Sequence, residues 1–193
     1  MGALIERAGP CGLRASRDRA GDFEALLESI VYQQLAGRAA AAIHARLRAR
    51  VPGPLTPDAV LALPEEALRA AGLSGAKVAS VRDLATKVTD GTVPLDGIAR
   101  LPDEEVIRRL TTVRGIGRWT AEMFLIFRLA RLDVWPVDDL GVRAGFAMTF
   151  GLEGRIDARA LEPLGDRFRP YRTIVAWYCW QAVRLSRGQP LRR

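Results

Sequence analysis

Apolar residues recur every three or four positions along most of this 193-residue chain, the pattern of amphipathic helices packed around a core. Pro and Gly separate these segments, and Ser, Thr or Asp often stands where a helix begins. No pair of alternating, strand-like segments occurs, and Asp90-Gly91 has no strand pattern on either side. The sequence therefore predicts an all-α protein. Helices are expected over 22–31, 36–50, 102–110, 118–129, 139–149, 157–168 and 171–187, with further helices that begin at Pro57 and at Pro64 and one that ends at about Val88. We expect a frayed tail from Gly188.

Composition narrows the class of protein. The net charge of +7 and the pI of about 10.4 favour a polyanionic partner. No run of about 18 apolar residues is present, so we expect no membrane span. The segment 1–10 lacks a signal-peptide pattern, so we expect a cytoplasmic protein. Cys11 and Cys179 imply neither a disulfide framework nor a zinc site, and the single histidine, His44, fits a helix surface.

A short glycine segment stands between two of the predicted helices. It is Gly115-Ile116-Gly117, flanked by Arg114 and Arg118. Both glycines allow positive φ and a close approach of the backbone to a ligand, and the following helix start offers free N–H groups to an anion. A lone Gly-x-Gly is more often a plain turn. Placed between two helices and two arginines, it predicts a helix-hairpin-helix that binds a DNA phosphate.

Further motifs accompany the hairpin in a fixed order. They are Ile30-Val31-Tyr32-Gln33-Gln34-Leu35, Trp135-Pro136-Val137-Asp138-Asp139 and Pro170-Tyr171-Arg172-Thr173. Together they resemble the helix-hairpin-helix/Gly-Pro-Asp superfamily of DNA glycosylases, and within it the 3-methyladenine DNA glycosylase II (AlkA) type, over about residues 22–181. The resemblance implies an enzyme of base excision repair that flips an alkylated purine out of double-stranded DNA and hydrolyses its N-glycosidic bond.

The resemblance also implies an architecture. Residues 30–133 would form one helical lobe that ends in the hairpin, and residues 1–29 with 134–193 the second lobe, with the active-site cleft between them. The AlkA type also has an N-terminal β domain, for which this chain is too short. We expect no iron–sulfur cluster, because no cysteine follows Cys179. We also expect the protein to be a monomer.

Asp139 is the predicted catalytic residue. An Asp at this place is usually a helix N-cap, and in this family the cap and the catalyst are the same group. Its carboxylate would stabilise the positive charge that develops on the sugar, while Asp138 would face solvent or cap the helix. Trp119 stands where family members that also cut the strand have a lysine nucleophile, so the resemblance implies no strand-cleaving (AP-lyase) activity.

The resemblance assigns Trp119 and Trp180 to the walls of the base pocket. A purine alkylated at N3 or N7 is cationic, so an indole face attracts it. Trp177 is interpreted as a core residue. Met123, Leu140 and Tyr32 complete the predicted pocket. At two of these positions, Met123 and Leu140, the AlkA type has tyrosines.

Leu35 matches the wedge that enters the duplex where the base leaves, with Gln34 placed to bond the orphaned partner base. An ordinary buried leucine is the competing interpretation. Predicted phosphate contacts are Gly115, Gly117, Arg114, Arg118 and Arg143, and the carbonyls of Thr111, Val113 and Ile116 are a candidate site for a Na⁺ or K⁺ ion.

Two other functions remain open. A non-catalytic helix-hairpin-helix DNA-binding protein would explain the hairpin and the charge, but it would leave Asp139, Trp180 and Leu35 coincidental. A glycosylase for another lesion is the second, although the missing lysine and cysteines disfavour the branches that act on oxidised bases. The sequence does not rank 3-methyladenine, 7-methylguanine, 1-methyladenine and hypoxanthine as substrates.

Overall fold

The computed structural model describes residues 1–13, 21–154 and 156–189. Over these residues the regular structure is entirely helical, which confirms the predicted fold class. The part of the predicted frayed tail beyond Gln189 lies outside the described residues. The helices are α1 (Gly2–Ala8), α2 (Asp22–Tyr32), α3 (Gly37–Arg48), α4 (Pro57–Leu61), α5 (Glu65–Ala70), α6 (Gly75–Thr89), α7 (Asp103–Leu110), α8 (Arg118–Phe127), α9 (Leu140–Phe150), α10 (Ala158–Leu164) and α11 (Arg172–Ser186), with 3₁₀ turns at Ile98–Arg100 and Asp166–Phe168.

Local capping signals fix several helix starts. The hydroxyl of Thr56 accepts a hydrogen bond from the N–H of Ala59 (3.2 Å), with Pro57 at the first helical position of α4. The hydroxyl of Ser74 accepts from the N–H of Lys77 (3.3 Å) at the start of α6. These side chains satisfy N–H groups that have no partner inside their helix.

Two helix predictions were wrong in detail, and one helix was missed. Helix α8 ends at Phe127, two residues before the predicted end. The predicted helix over 157–168 divides into α10 and a 3₁₀ turn, because Pro163 lacks the N–H that continues the helical ladder and Gly165 follows. Helix α1 was not predicted at all.

The chain divides into two compact units, Met1–Ser16 with Leu125–Arg193, and Arg17–Phe124. We call them the first and the second unit. Their bounds differ from those of the predicted lobes, which stay a prediction. No helix in the described part of the chain is long and apolar enough to cross a membrane.

In the first unit, α9 packs along α11, and α1 also contacts α11. The close packing requires a glycine on α9, because a Cβ at Gly145 would overlap the backbone carbonyl of Cys179. Hydrophobic side chains from α9, α10, α11 and the segment before α9 fill the core of this unit, namely Trp135, Val142, Phe146, Leu161, Val175, Ala176 and Cys179.

In the second unit, α6 is the central helix and contacts α2, α4 and α5, while α2 also packs on α3. Leu27 and Ile30 of α2 and Leu84 of α6 are fully buried. The N-terminus of α6 and the C-terminus of α2 position the hairpin and the loop that precedes α3, as described below.

We expect Gly145→Ala to lower the free energy of unfolding by about 2 kcal/mol or more, in the range of overpacked cores, because the added methyl group would force α9 and α11 apart. Chemical denaturation measures this change. Gly37→Ala is the matched control, since a Cβ at Gly37 meets no atom within 4 Å. Equal stability of the two variants would contradict the packing described for α9.

Candidate active site

Asp139 is the N-cap of α9. Its Oδ1 accepts a hydrogen bond from the N–H of Val142 at 2.8 Å, and the residue is only 9% exposed. Asp138, its neighbour, is exposed, as predicted. The cap places a carboxylate at the positive end of the helix dipole, where negative charge is stabilised.

A second hydrogen bond to Asp139 comes from α11. The indole N–H of Trp180 donates to the same oxygen, Oδ1, at 2.9 Å. Because two donors from different helices end on one oxygen, they fix the orientation of the carboxylate. We call Asp139 and Trp180 the carboxylate–indole pair.

Gly141 makes room for this pair. A Cβ at Gly141 would lie 2.9 Å from Cδ1 of Trp180, so the indole would have to shift, and 3.1 Å from Oδ1 of Asp139, which is tighter than an ordinary contact. Cys179, next to Trp180, is fully buried. Burial, and to a smaller extent the charge of Asp139, raises the pKa of the Cys179 thiol to about 12, so this thiol is neutral near neutral pH.

Sequence reasoning missed Phe127 as a neighbour of the pair. Its ring stacks on Trp180 with 5.7 Å between ring centroids and 23° between planes, and Phe127 is 41% exposed. The result is an aromatic surface that continues from Trp180 to solvent. Helical periodicity does not distinguish this phenylalanine, at the end of α8, from a core residue.

The hairpin lies in the second unit, between α7 and α8. Gly115 has φ +80°, and a Cβ there would lie 2.6 Å from the hydroxyl of Ser80, so the position requires glycine. The expectation of positive φ at Gly117 was wrong, because the N–H of Ile116 already closes the turn onto the carbonyl of Val113 (3.1 Å). A Cβ at Gly117 would meet no protein atom within 4 Å, so this face of the hairpin is open.

Helix α6 supports the hairpin from one side. Asp83 accepts the N–H of Arg114 (2.7 Å) and the ammonium of Lys87 (2.8 Å), and Lys87 also donates to the carbonyl of Thr112 (2.6 Å). Burial alone would raise the pKa of Asp83, but these two donors hold it below its ordinary value. The hairpin backbone is therefore held in place by ionised groups of α6.

The predicted phosphate-binding arginines differ in the contacts that they make with other groups of the protein. Arg114 is exposed. The guanidinium of Arg118 is bound by Glu104 (2.6 Å) and Glu122 (3.1 Å). In the first unit, Nε of Arg143 donates to the carbonyl of Ile156 (2.7 Å). A phosphate would compete with those carboxylates for Arg118, which makes Arg114 and the hairpin amides the better candidates.

The segment that follows α2 carries the predicted wedge. Gln34 has φ +56°, and Leu35 is 40% exposed. The competing interpretation of Leu35 as an ordinary buried leucine is therefore wrong. We call residues 33–36 the wedge loop.

The other predicted site residues are divided between the units. Trp119 (43% exposed), Met123 and Tyr32 belong to the second unit, while Leu140 (73% exposed) directly follows Asp139 in the first. Trp177 is 6% exposed and is a core residue, as interpreted. Thr111, Val113 and Ile116 lie on the hairpin, where the monovalent cation stays a prediction.

The arrangement agrees with the comparisons with known proteins. The model of the HhH-GPD superfamily of base excision DNA repair proteins matches residues 27–170. The chain is 34% identical over 189 residues to DNA-3-methyladenine glycosylase 1 of Schizosaccharomyces pombe, covering 95% of this chain and 82% of that protein.

Solved structures agree as well. A 3-methyladenine DNA glycosylase of Schizosaccharomyces pombe (Mag1), in complex with abasic DNA, superposes with a TM-score of 0.83 at 34% identity, covering 93% of this chain and 89% of that one. A DNA-3-methyladenine glycosidase of Bacillus halodurans superposes with a TM-score of 0.86 at 35% identity, covering 97% and 86%. The chain belongs to the HhH-GPD superfamily of base excision DNA repair proteins.

Proposed function

We propose that this protein is a monofunctional DNA glycosylase that removes alkylated purines, of the 3-methyladenine and 7-methylguanine type, from double-stranded DNA and leaves an abasic site. The observation that carries the proposal is the buried Asp139 carboxylate, fixed by Trp180 at the start of α9. Membership of a base excision repair family and relatives that are named DNA-3-methyladenine glycosylases support it.

The carboxylate acts on charge that forms during bond cleavage. As the C1′–N bond breaks, its electron pair leaves with the base, and the sugar becomes an oxocarbenium-like cation. Asp139 stabilises this cation, and a water molecule adds to C1′ and passes one proton to solvent water. Since Val142 and Trp180 hold the carboxylate in advance, little reorganisation is needed in the transition state.

The aromatic surface beside Asp139 favours an alkylated base. A purine alkylated at N3 or N7 carries a positive charge, which the faces of Trp180 and Phe127 attract. The same charge makes the base a good leaving group. Trp119 replaces the lysine of strand-cleaving relatives, and an indole forms no Schiff base, so the product is an intact strand with an abasic site.

The second unit supplies the contacts to DNA in this proposal. The open face at Gly117 and the exposed Arg114 bind a backbone phosphate, and Leu35 fills the gap that the extruded base leaves. The net charge of +7 adds a general attraction to duplex DNA. We expect the protein to act as a monomer in the cytoplasm, associated with the nucleoid.

Incubation with methylated DNA tests the function directly. We expect mass spectrometry to detect free 3-methyladenine or 7-methylguanine, and strand breaks to appear only after hot alkali.

Asp139→Asn should keep duplex affinity and lose at least about 100-fold in the single-turnover rate of base release, because the lost charge acts only in the transition state. Undiminished release by Asp139→Asn would overturn the catalytic assignment, and duplex binding without release by the wild type would favour the non-catalytic alternative.

Gly141→Ala tests the carboxylate–indole pair. The added methyl group would push Trp180 and Asp139 apart, so base release should fall about tenfold or more while duplex affinity is unchanged. Single-turnover rates and fluorescence anisotropy measure the two quantities. Ala144→Gly, on the same helix, is a control for a change of helix propensity. A wild-type rate in Gly141→Ala would show that the pair is not needed.

Gly117→Ala tests the proposed contact between the hairpin and a DNA phosphate without disturbing the fold. The new methyl group meets no protein atom but stands where a phosphate approaches, so we expect about tenfold weaker binding of damaged and undamaged duplex alike. The melting temperature should not fall, in contrast to Gly115→Ala, which adds a Cβ at φ +80° against Ser80. Unchanged binding in Gly117→Ala would remove this face of the hairpin from the DNA contact.

A further inference from the structure

Lys77 joins the start of α6 to the end of α2. Its Nζ donates to the carbonyls of Val31 (2.5 Å) and Gln33 (2.8 Å), which lie in the last turn of α2 and in the wedge loop. The last carbonyls of a helix lack partners within it, and a cation there is favourable. Burial lowers the pKa of Lys77 below its ordinary value, because the ammonium group has lost part of its contact with water.

Gln33 extends this connection to the hairpin. Its side-chain amide donates to the carbonyl of Gly115 (2.8 Å) and to the hydroxyl of Thr120 (3.4 Å). Ser80, one turn after Lys77 on α6, lies directly against Gly115. The first turns of α6 therefore contact both the wedge loop and the hairpin, all within the second unit.

The wedge loop needs such support because its backbone is unfavourable on its own. Gln34 is one of two non-glycine residues with positive φ in the described part of the chain. A side chain in this region is strained, and surrounding contacts must hold it there. The hydrogen bonds of Lys77 and Gln33 lie directly on the N-terminal side of this residue.

We propose that Lys77 and Gln33 are positioning residues that hold the wedge loop rigidly against the hairpin, so that the phosphate contact places Leu35 for insertion into the duplex. The inference rests on the proposed function, because Leu35 has a wedge to form only if a base is extruded. A loop that is ordered in advance loses little conformational entropy when the base leaves the stack.

Lys77→Met removes both hydrogen bonds while keeping an unbranched side chain that is only one atom shorter. We expect single-turnover base release to fall about tenfold or more, and the fluorescence rise of 2-aminopurine placed next to the lesion, which reports unstacking, to shrink with it. Affinity for undamaged duplex should stay within about twofold of wild type, because the hairpin itself is unchanged. Lys77→Arg retains a cation able to reach the carbonyls and should restore most of the signal.

Arg82→Met is the matched control for Lys77→Met. Arg82 is a cation of the same helix that donates to a backbone carbonyl, that of Leu63, far from the wedge loop in sequence. We expect its removal to leave the 2-aminopurine signal and the release rate unchanged. Gln33→Met tests the connection at its other end, should Lys77→Met fail to fold, and the melting temperature of each variant is measured first.

A double-mutant cycle with Leu35→Ala decides whether Lys77 acts through the wedge. If it does, Lys77→Met lowers the release rate less than twofold in the Leu35→Ala background. Independent, multiplicative losses would overturn the inference, as would wild-type release and fluorescence in both Lys77→Met and Gln33→Met. Absence of base release by the wild type would instead contradict the proposed function, so the two failures are distinguishable.

Discussion

The hydrogen bond from the Trp180 indole to Oδ1 of Asp139 is the interaction on which the candidate site depends. A carboxylate that is 9% exposed is costly unless donors compensate the lost water, and here the helix N-terminus and the indole do so together. The bond also connects α9 to α11. The orientation of the acid is therefore decided by the packing of two helices rather than by the loop that carries it.

That packing imposes a constraint on α9. Gly141 and Gly145 are one helical turn apart and share a face, and a Cβ at either position would meet α11 at Trp180 or at the backbone of Cys179. The two glycines lower the helix propensity of α9 but let the helices approach closely. Stability and site geometry thus depend on the same strip of backbone contact.

Local signals in the sequence were enough to predict much of this protein. The N-cap at Asp139 was predicted because a helix cap is a local motif, and the tight turn at Gly115 because it needs positive φ, whereas the catalytic assignment of Asp139 came from the family resemblance. Phe127, and the bonds of Lys77 and Gln33, were not found, since they join residues up to 87 positions apart and leave no periodic trace. Gly117 was assigned a strained backbone because its turn was judged from composition alone.

The groups around Asp139 also bear on the substrate class of the proposed function. The structure brings to it an indole N–H, a backbone amide and a thiol whose pKa is about 12, and none of these three readily protonates a departing base. A neutral purine leaves slowly without a proton, whereas an alkylated purine is already cationic and departs as a neutral molecule. A carboxylate with aromatic surface beside it stabilises positive charge on both the sugar and the base. In the proposed reaction this chemistry would therefore favour purines alkylated at N3 or N7 over neutral bases, even before the shape of the pocket is considered.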